Sequence, residues 1–338
     1  VIARLVALAL LAVAGASAAR AQDVVVQLDP AKAQAAGVDP DEVVAALRTA
    51  AAGTLNLDDQ GAFLEQMARA TALSSKGMGV DYGSNLQRFV VGGGVGTGAD
   101  GMGATFGRGD TALPEGGFAF MGTVMAGLNL GVAAPEGSAA RRFRIYAHGL
   151  AGSGDREPFA GSMVNYGGHL QVQLLRAKGT SAVAWNGVDF TTGYEAGVYR
   201  LTLESAVPIS PGEGVQWDAT GAYTVEARAA SVPLELSTAV KVAVVSAWAG
   251  IGYDLLLDGS ATSTIALGGD ISASAQGRTA LLGTAAVTGD ASAAAPAVGA
   301  PRAFLGAQVN LAVVKVYGHL NLPVDRGFGG HAGVRIAL

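Results

Sequence analysis

Apolar and polar residues alternate one by one through long stretches of this sequence, and that period of two constrains the fold more than any other feature. In Arg142-Phe143-Arg144-Ile145-Tyr146-Ala147-His148-Gly149, one set comprises Phe143, Ile145 and Ala147, the other Arg142, Arg144, Tyr146 and His148. A helix would scatter both sets, whereas a strand separates them onto its two faces. The alternation recurs in Tyr199-Arg200-Leu201-Thr202-Leu203-Glu204 and in Val232-Pro233-Leu234-Glu235-Leu236-Ser237. Near the end, Val314, Val316, Leu320 and Leu322 oppose Lys315, Tyr317, His319 and Asn321. The last residues set Ala332, Val334, Ile336 and Leu338 against His331, Gly333 and Arg335.

A single alternating strand also suits a soluble sandwich, so the number of such segments decides. Strands are expected near 87–97, 117–132, 141–150, 163–175, 183–193, 197–208, 215–228, 231–242, 244–257, 303–312, 314–322 and 330–338. That is about twelve, within a range of ten to fourteen, and an even number returns both ends of a barrel to one side. Asn186-Gly187 is a hairpin signal that would split one strand. Conversely, 183–208 and 215–242 can each be read as one long strand projecting above a membrane. Almost nothing links the strands at Val242-Ala243 and Ala312-Val313, while 98–116, 151–162 and 258–302 are long and rich in Gly, Ser, Ala and Asp. Short turns on one side and long loops on the other is the pattern of outer-membrane barrels. Within 258–302, Ala291-Ser292-Ala293-Ala294-Ala295-Pro296 is of low complexity.

Half the residues are apolar and only 14% are charged, yet no apolar run of spanning length follows the first twenty residues, which excludes a helical membrane protein. Fifty glycines favour strands and turns over helices. A net charge of −5 offers no basic patch for nucleic acid. The absence of cysteine excludes disulfides, thiolate metal sites and a lipidated N-terminal cysteine. A soluble exported β-protein, the competing class, would bury its apolar strand faces in a sandwich and would ordinarily carry more charge.

The N-terminal quarter is patterned differently. Arg4, an apolar run from Leu5 to Val13 and the small-residue sequence Ala19-Arg20-Ala21 read as a signal peptide over 1–21. Residues 22–81 read as a helical periplasmic or plug segment. Asp29-Pro30 and Asp39-Pro40 each place a capping acid before a proline suited to a first helical turn. Val43, Leu47 and Ala51 share one stripe, and Phe63, Met67 and Ala70 another. Helices this short need a surface to pack on, and the barrel mouth or lumen is the nearest.

With this leader, no cysteine, the repeated alternation and a terminal strand running to Leu338, residues 82–338 resemble Gram-negative outer-membrane β-barrel proteins. The resemblance implies an antiparallel transmembrane barrel in the outer membrane, contacts with outer-membrane lipid and the barrel-assembly machinery, and no cofactor. Such proteins usually end in an aromatic residue. Here Leu338 stands in that place, with Val334 and Ile336 keeping the apolar spacing. Candidates for an interfacial aromatic girdle are Tyr82, Phe89, Phe118, Phe120, Trp217, Tyr223, Trp248 and Tyr253.

If apolar strand faces meet lipid throughout, the polar faces line the lumen. The lumen candidates are then Arg142, Arg144, His148, Arg200, Glu204, Asp218, Glu226, Arg228, Glu235, Lys241, Asp254, Lys315, His319 and Arg335. A closed interior would pair these charges, and a water-filled one could use them to filter a small solute. His148, His169, His319 and His331 show no metal-ligand spacing, and a hydrogen-bonded lumen role fits them better than a metal site or a general base. Barrel-wall hydrolases set a serine beside a histidine. His148 has only Ser153 nearby, and no nucleophile elbow is present, so no catalytic residue is assigned. Gly92-Gly93-Gly94-Val95-Gly96-Thr97-Gly98 lacks the lysine of a phosphate loop and reads as a strand. Arg108-Gly109-Asp110 sits on an expected surface loop. The favoured function is a channel or transporter partly occluded by the N-terminal helices. A structural or surface-adhesion barrel with a closed lumen is the alternative, and an outer-membrane hydrolase ranks third.

Overall fold

In a computed structural model, residues 23–54, 60–101, 116–135, 137–156, 159–180, 182–212, 214–275, 278–294 and 300–338 are described. The signal peptide, most of the 98–116 loop and Arg108-Gly109-Asp110 lie outside them. Among the described residues, thirteen strands form one antiparallel sheet. They are β1 (Asp23–Leu28), β2 (Phe89–Asp100), β3 (Gly117–Asn129), β4 (Phe143–Arg156), β5 (Phe159–Leu175), β6 (Lys178–Gly179), β7 (Val183–Gly212), β8 (Val215–Val242), β9 (Val245–Ala275), β10 (Arg278–Ala294), β11 (Ala300–Leu311), β12 (Val314–Pro323) and β13 (Phe328–Ala337). Pairing runs β2-β3-β4-β5-β7-β8-β9-β11-β12-β13, and β13 returns to β2 with Ala337 opposite Val90, so ten strands close a ring.

Ten rather than twelve follows from two continuities. The segments expected at 183–193 and 197–208 are one strand, β7, and Asn186-Gly187, within the first of them, makes a bulge and not a hairpin. Those at 215–228 and 231–242 are likewise one strand, β8. Both ends of the ring lie at one rim, where Arg88 donates its N–H to the Leu338 carbonyl at 3.1 Å. The two-residue turns at Ala243 and Ala312 lie at this same lower rim, with φ of 51° and 54°.

Within the barrel the outer face is apolar. Leu234, Leu236, Ile251, Leu320, Val334 and Ile336 are exposed there, while the residues between them are buried inside. Above the upper rim the rule inverts. β7, β8 and β9 continue beyond the barrel, and the region 258–302, expected to be a loop, instead supplies the end of β9, β10 and the first three residues of β11. β9 pairs with β11 only as far as Asp254, and from Ser260 it pairs with β10, whose other edge receives β1. In this cap Val215, Trp217, Tyr223, Ile265, Leu267 and Ile271 face inward into a core, and Asp218 and Arg228 are exposed outside.

The strand β9 makes the inversion with one residue. Ile251, Tyr253, Leu255 and Leu257 point outward, whereas Ala261, Ile265 and Ile271, of the same parity, point inward. The pairing Ala230↔Asp258 followed by Ser231↔Leu256 leaves Leu257 as a bulge that swaps the faces. β8 achieves the same end through its sequence, switching its apolar residues from odd to even positions between Ala229 and Leu234.

The cap core is completed by α1 (Pro30–Ala35), α2 (Pro40–Thr54) and α3 (Gln60–Ser75). Asp29 caps α1, its carboxylate accepting from Ala31 N at 3.0 Å and Lys32 N at 3.3 Å. Asp39 accepts from Asp41 N at 2.9 Å at the start of α2. The stripe Val43, Leu47 and Ala51 is buried against the sheet, joined by Phe63, Leu64 and Met67 of α3. Residues 23–28, expected to be helical, are a strand: the β-branched run Val24-Val25-Val26 adds to the open edge of β10 and turns Val24, Val26 and Leu28 onto the core.

Candidate functional site: an occupied lumen

α3 ends inside the upper mouth, and residues 76–88 then descend the lumen to the lower rim, where β2 begins. The inward positions of β2 are what admit α3. A Cβ at Gly96 would lie 2.4 Å from the Ser74 carbonyl oxygen, and one at Gly98 would lie 2.1 Å from that of Ala70. The glycine run therefore serves close packing of backbone on backbone.

At the upper level Lys76 Nζ donates to Glu195 Oε2 at 3.2 Å and to the Ser231 hydroxyl, and lies 3.4 Å from Asp254 Oδ1. Gly77, at φ +72°, donates its N–H to Glu195 Oε1 at 3.0 Å. Arg302 joins three walls: its Nε donates to Asp254 Oδ2 at 2.8 Å, its Nη1 to Asn321 Oδ1 at 2.6 Å, and its Nη2 pairs with Glu235. The Tyr82 hydroxyl donates to Glu235 Oε2 at 2.6 Å, and the Asn321 amide returns to the Lys76 carbonyl at 3.0 Å.

Midway down, Arg335 Nη1 donates to Asp81 Oδ1 at 2.9 Å and Nη2 to the Val80 carbonyl at 2.8 Å, with the guanidinium 3.6 Å over the Tyr317 ring. Below, Arg144 reaches Gln171 at 2.9 Å, Asp189 at 3.2 Å and Asn85 at 2.6 Å. Ser84 accepts from Gln308 at 3.0 Å and from Lys315. The Asn129 amide donates to the Leu86 carbonyl at 2.8 Å. Val80, Tyr82 and Leu86 are buried among Tyr146, Trp248, Phe304 and Tyr317. Nearly every charge buried in the lumen thus has an opposite charge, and about half of the partners are on the inserted segment.

Of the residues expected in the lumen, Arg144, His148, Glu235, Asp254, His319 and Arg335 are buried there, with Lys241 and Lys315 towards its lower end. Arg200, Glu204, Asp218, Glu226 and Arg228 are not. They lie on the outer face of the cap, where Arg200 pairs with Glu226 at 3.2 Å and Arg228 with the same carboxylate at 2.6 Å. The apolar-out rule misassigned them because the cap is above the apolar belt and buries its own apolar face. Arg142 ends the 3-10 turn Ala139–Arg142 at the lower rim. Lys76, Asp81, Asp189, Glu195 and Arg302 were missed. Parity alone would have found Glu195, which follows Asp189 and Thr191 on one face of β7.

His148 stacks on His169 at 5.3 Å and His319 on His331 at 4.5 Å, and Trp248 Nε1 donates to His319 Nδ1 at 3.0 Å. Among the described residues no group of three His, Cys, Asp or Glu is placed to hold a metal ion. Ser153 is exposed and paired across the sheet with Ser162, so it does not join His148.

The class these features define is a closed antiparallel β-barrel with an apolar outer belt and a lumen filled by its own chain. The Lsa36-like family matches residues 34–338, and the chain belongs to that family. No curated protein matches. Among solved structures, the translocator domain of the autotransporter NalP from Neisseria meningitidis is 14% identical with a TM-score of 0.30, over 88% of this chain and 99% of that one. The CymD monoaromatic hydrocarbon channel is 8% identical with a TM-score of 0.29, over 80% and 98% of the two chains. The Ralstonia pickettii toluene transporter TbuX is 10% identical with a TM-score of 0.26, over 81% and 99%. Scores this low do not define a common topology, so the barrel rests on its own strand pairing.

Proposed function

We propose that this protein is an outer-membrane barrel that anchors a surface-exposed sheet-and-helix cap and keeps its own lumen closed. The observation that carries this reading is the passage of residues 76–88 down the whole barrel, held at three levels by Lys76, Asp81 and Asn85. Removing that segment would strand Glu195 and Arg335 in the barrel wall, so the closed state is strongly favoured. In an even-stranded barrel of this kind the rim where the ring opens and closes, here the start of β2 and the end of β13, faces the periplasm. The cap, at the opposite rim, then faces outward, and residues 23–75 reach it through the barrel during assembly.

A channel opened by withdrawal of 76–88 is the second reading, favoured because no barrel strand need break for the segment to leave. Purified full-length protein in a planar bilayer should show no steady conductance, and a stable ohmic channel would favour the second reading. Because the chain has no cysteine, Lys32→Cys gives a single label site on the exposed side of α1. A membrane-impermeant maleimide should label it on intact cells. Labelling only after permeabilisation would refute the outward cap.

A further inference from the structure

The lower rim of the barrel carries one sign of charge. Among the described residues, Arg88, Arg141, Arg142, Arg176 and Lys178 lie there, and no acid does outside the lumen. Inside, Asp189 is taken by Arg144. The connection from β3 to β4 fixes where two of these charges stand. Buried Asn129 accepts from the Gly131 N–H at 2.8 Å, and its amide donates to the Arg141 carbonyl at 3.1 Å. Ser138 caps the 3-10 turn by accepting from Ala140 N at 3.3 Å. The Arg141 guanidinium is used within this connection, with Nε and Nη2 donating to the Ala134 carbonyl at 3.0 and 2.8 Å. Arg142, held on the same turn, has no hydrogen-bond or ion-pair partner among the described residues.

Arg142 and Arg176 line a groove of about 330 Å³ on the outer side of this rim, between the turn and the end of β5. Small-ligand sites commonly occupy roughly 300–1,000 Å³. Arg176 donates Nη2 to the Gly137 carbonyl at 3.1 Å, and its other N–H groups are unpartnered among the described residues. The rest of the wall is apolar. Phe143 and Val172 are paired across β4 and β5, Leu174 follows on the same face, and Phe143 and Leu174 are exposed at the foot of the belt. None of the described lining residues is acidic. Two guanidinium forks suit the oxygens of a phosphate. A soluble phosphate would use the arginines and leave the apolar wall in water. The ammonium of a zwitterionic head group would meet two positive charges and no carboxylate.

We propose that this groove binds the phosphodiester of an anionic phospholipid of the periplasmic leaflet on Arg142 and Arg176, with an acyl chain laid along Phe143, Val172 and Leu174. The proposal rests on the outer-membrane reading above, and its test separates the two. Full-length protein is reconstituted in phosphatidylcholine vesicles with phosphatidylglycerol in both leaflets, so that either orientation presents the groove to it. A phosphatidylglycerol analogue with a diazirine on its head group is then irradiated, and cross-links are mapped by mass spectrometry. Adducts are expected on residues 137–143 and 172–176, and a phosphatidylcholine with the same diazirine should give far fewer. Arg142→Gln should lower them about fivefold, the scale of one basic residue at an anionic lipid surface. Arg142→Lys should keep most of them. Arg176→Gln should act like Arg142→Gln, which covers the case in which one variant does not fold. Arg88→Gln, on the same rim outside the groove, should leave the adducts unchanged. A loss as large in Arg88→Gln, or equal labelling by the two head groups, overturns the site. Displacement by sodium phosphate, but not by sodium chloride of equal ionic strength, would make it a site for the free anion and overturn the lipid. An analogue with its diazirine at the acyl terminus reports on the membrane itself. If it labels the belt residues Leu234, Leu236 and Ile251 while the groove stays unlabelled, the groove proposal fails and the barrel remains in the membrane. If it does not label the belt, the membrane reading fails and the groove with it.

Discussion

Asp81 and Arg335 meet in the middle of the barrel, one on the inserted segment and one on the last strand, at 2.9 Å with both side chains wholly buried. Removing one partner from such a pair strands the other charge away from water, at a cost of about 3–5 kcal/mol. Asp81→Ala should lower the heating midpoint at which the folded band disappears on a semi-native gel. Asp81→Ala with Arg335→Met should recover most of that loss, because neither charge then remains. If the double variant is no better than the single one, the pair does not act as a unit.

Gly98 tests how α3 is seated. A methyl there would lie 2.1 Å from the Ala70 carbonyl oxygen and 2.7 Å from the Ser74 amide nitrogen, both backbone atoms that cannot rotate away. Gly98→Ala should cost about 1–3 kcal/mol as overpacking. It should also open α3 to protease cleavage before the barrel unfolds. Gly93→Ala meets only the Thr123 carbonyl, at 3.2 Å, and should leave the digestion pattern nearly unchanged.

Strand β2 shows where the sequence was legible and where it was not. Its glycine run could be recognised as a strand, because no lysine or helix follows it, but the reason for glycine is the packing of the preceding helix, α3, inside the barrel mouth. The same holds for the polar faces. Arg144, Glu235 and Arg335 could be placed in the lumen because their neighbours Ile145, Leu234, Leu236 and Ile336 are exposed in the belt. Arg200 and Asp218 have the same alternation and the opposite orientation, since periodicity reports which residues share a face and not which face meets lipid. Lys76 and Asp81 lie in a segment with no period at all. Only the tertiary path of that segment reveals their role.

The inversion of polarity predicts a boundary within one strand. Ile251 and Thr262 both point outward on β9, the first in the belt and the second on the cap. Ile251→Arg should cost about 2–4 kcal/mol if it lies near the bilayer midplane, and should reduce the amount of protein assembled in the membrane. Thr262→Arg, in water, should assemble at the wild-type level. Equal impairment would mean that the belt extends over the cap.

Single-residue deletions on β9 probe the bulge that turns the barrel into the cap. Leu257 is the extra residue: Leu256 pairs with Ser231 and Asp258 with Ala230, which are adjacent on β8. Deleting Leu257 makes the two strands match residue for residue. Leu255 still faces outward, and Gly259, Ala261 and Ile265 still face inward. Five residues further on, deleting Thr262 has the opposite effect. Unless the bulge is lost to compensate, Ile265, Leu267 and Ile271 turn to water, and Thr264, Ala266 and Asp270 turn into the core. The Leu257 deletion should therefore retain a protease-resistant cap, with α2 and α3 protected. The Thr262 deletion should yield a barrel whose cap is digested. If both deletions leave the cap resistant, the bulge migrates freely along β9. If both destroy it, the bend that the bulge imposes on β9 matters more than the exchange of faces.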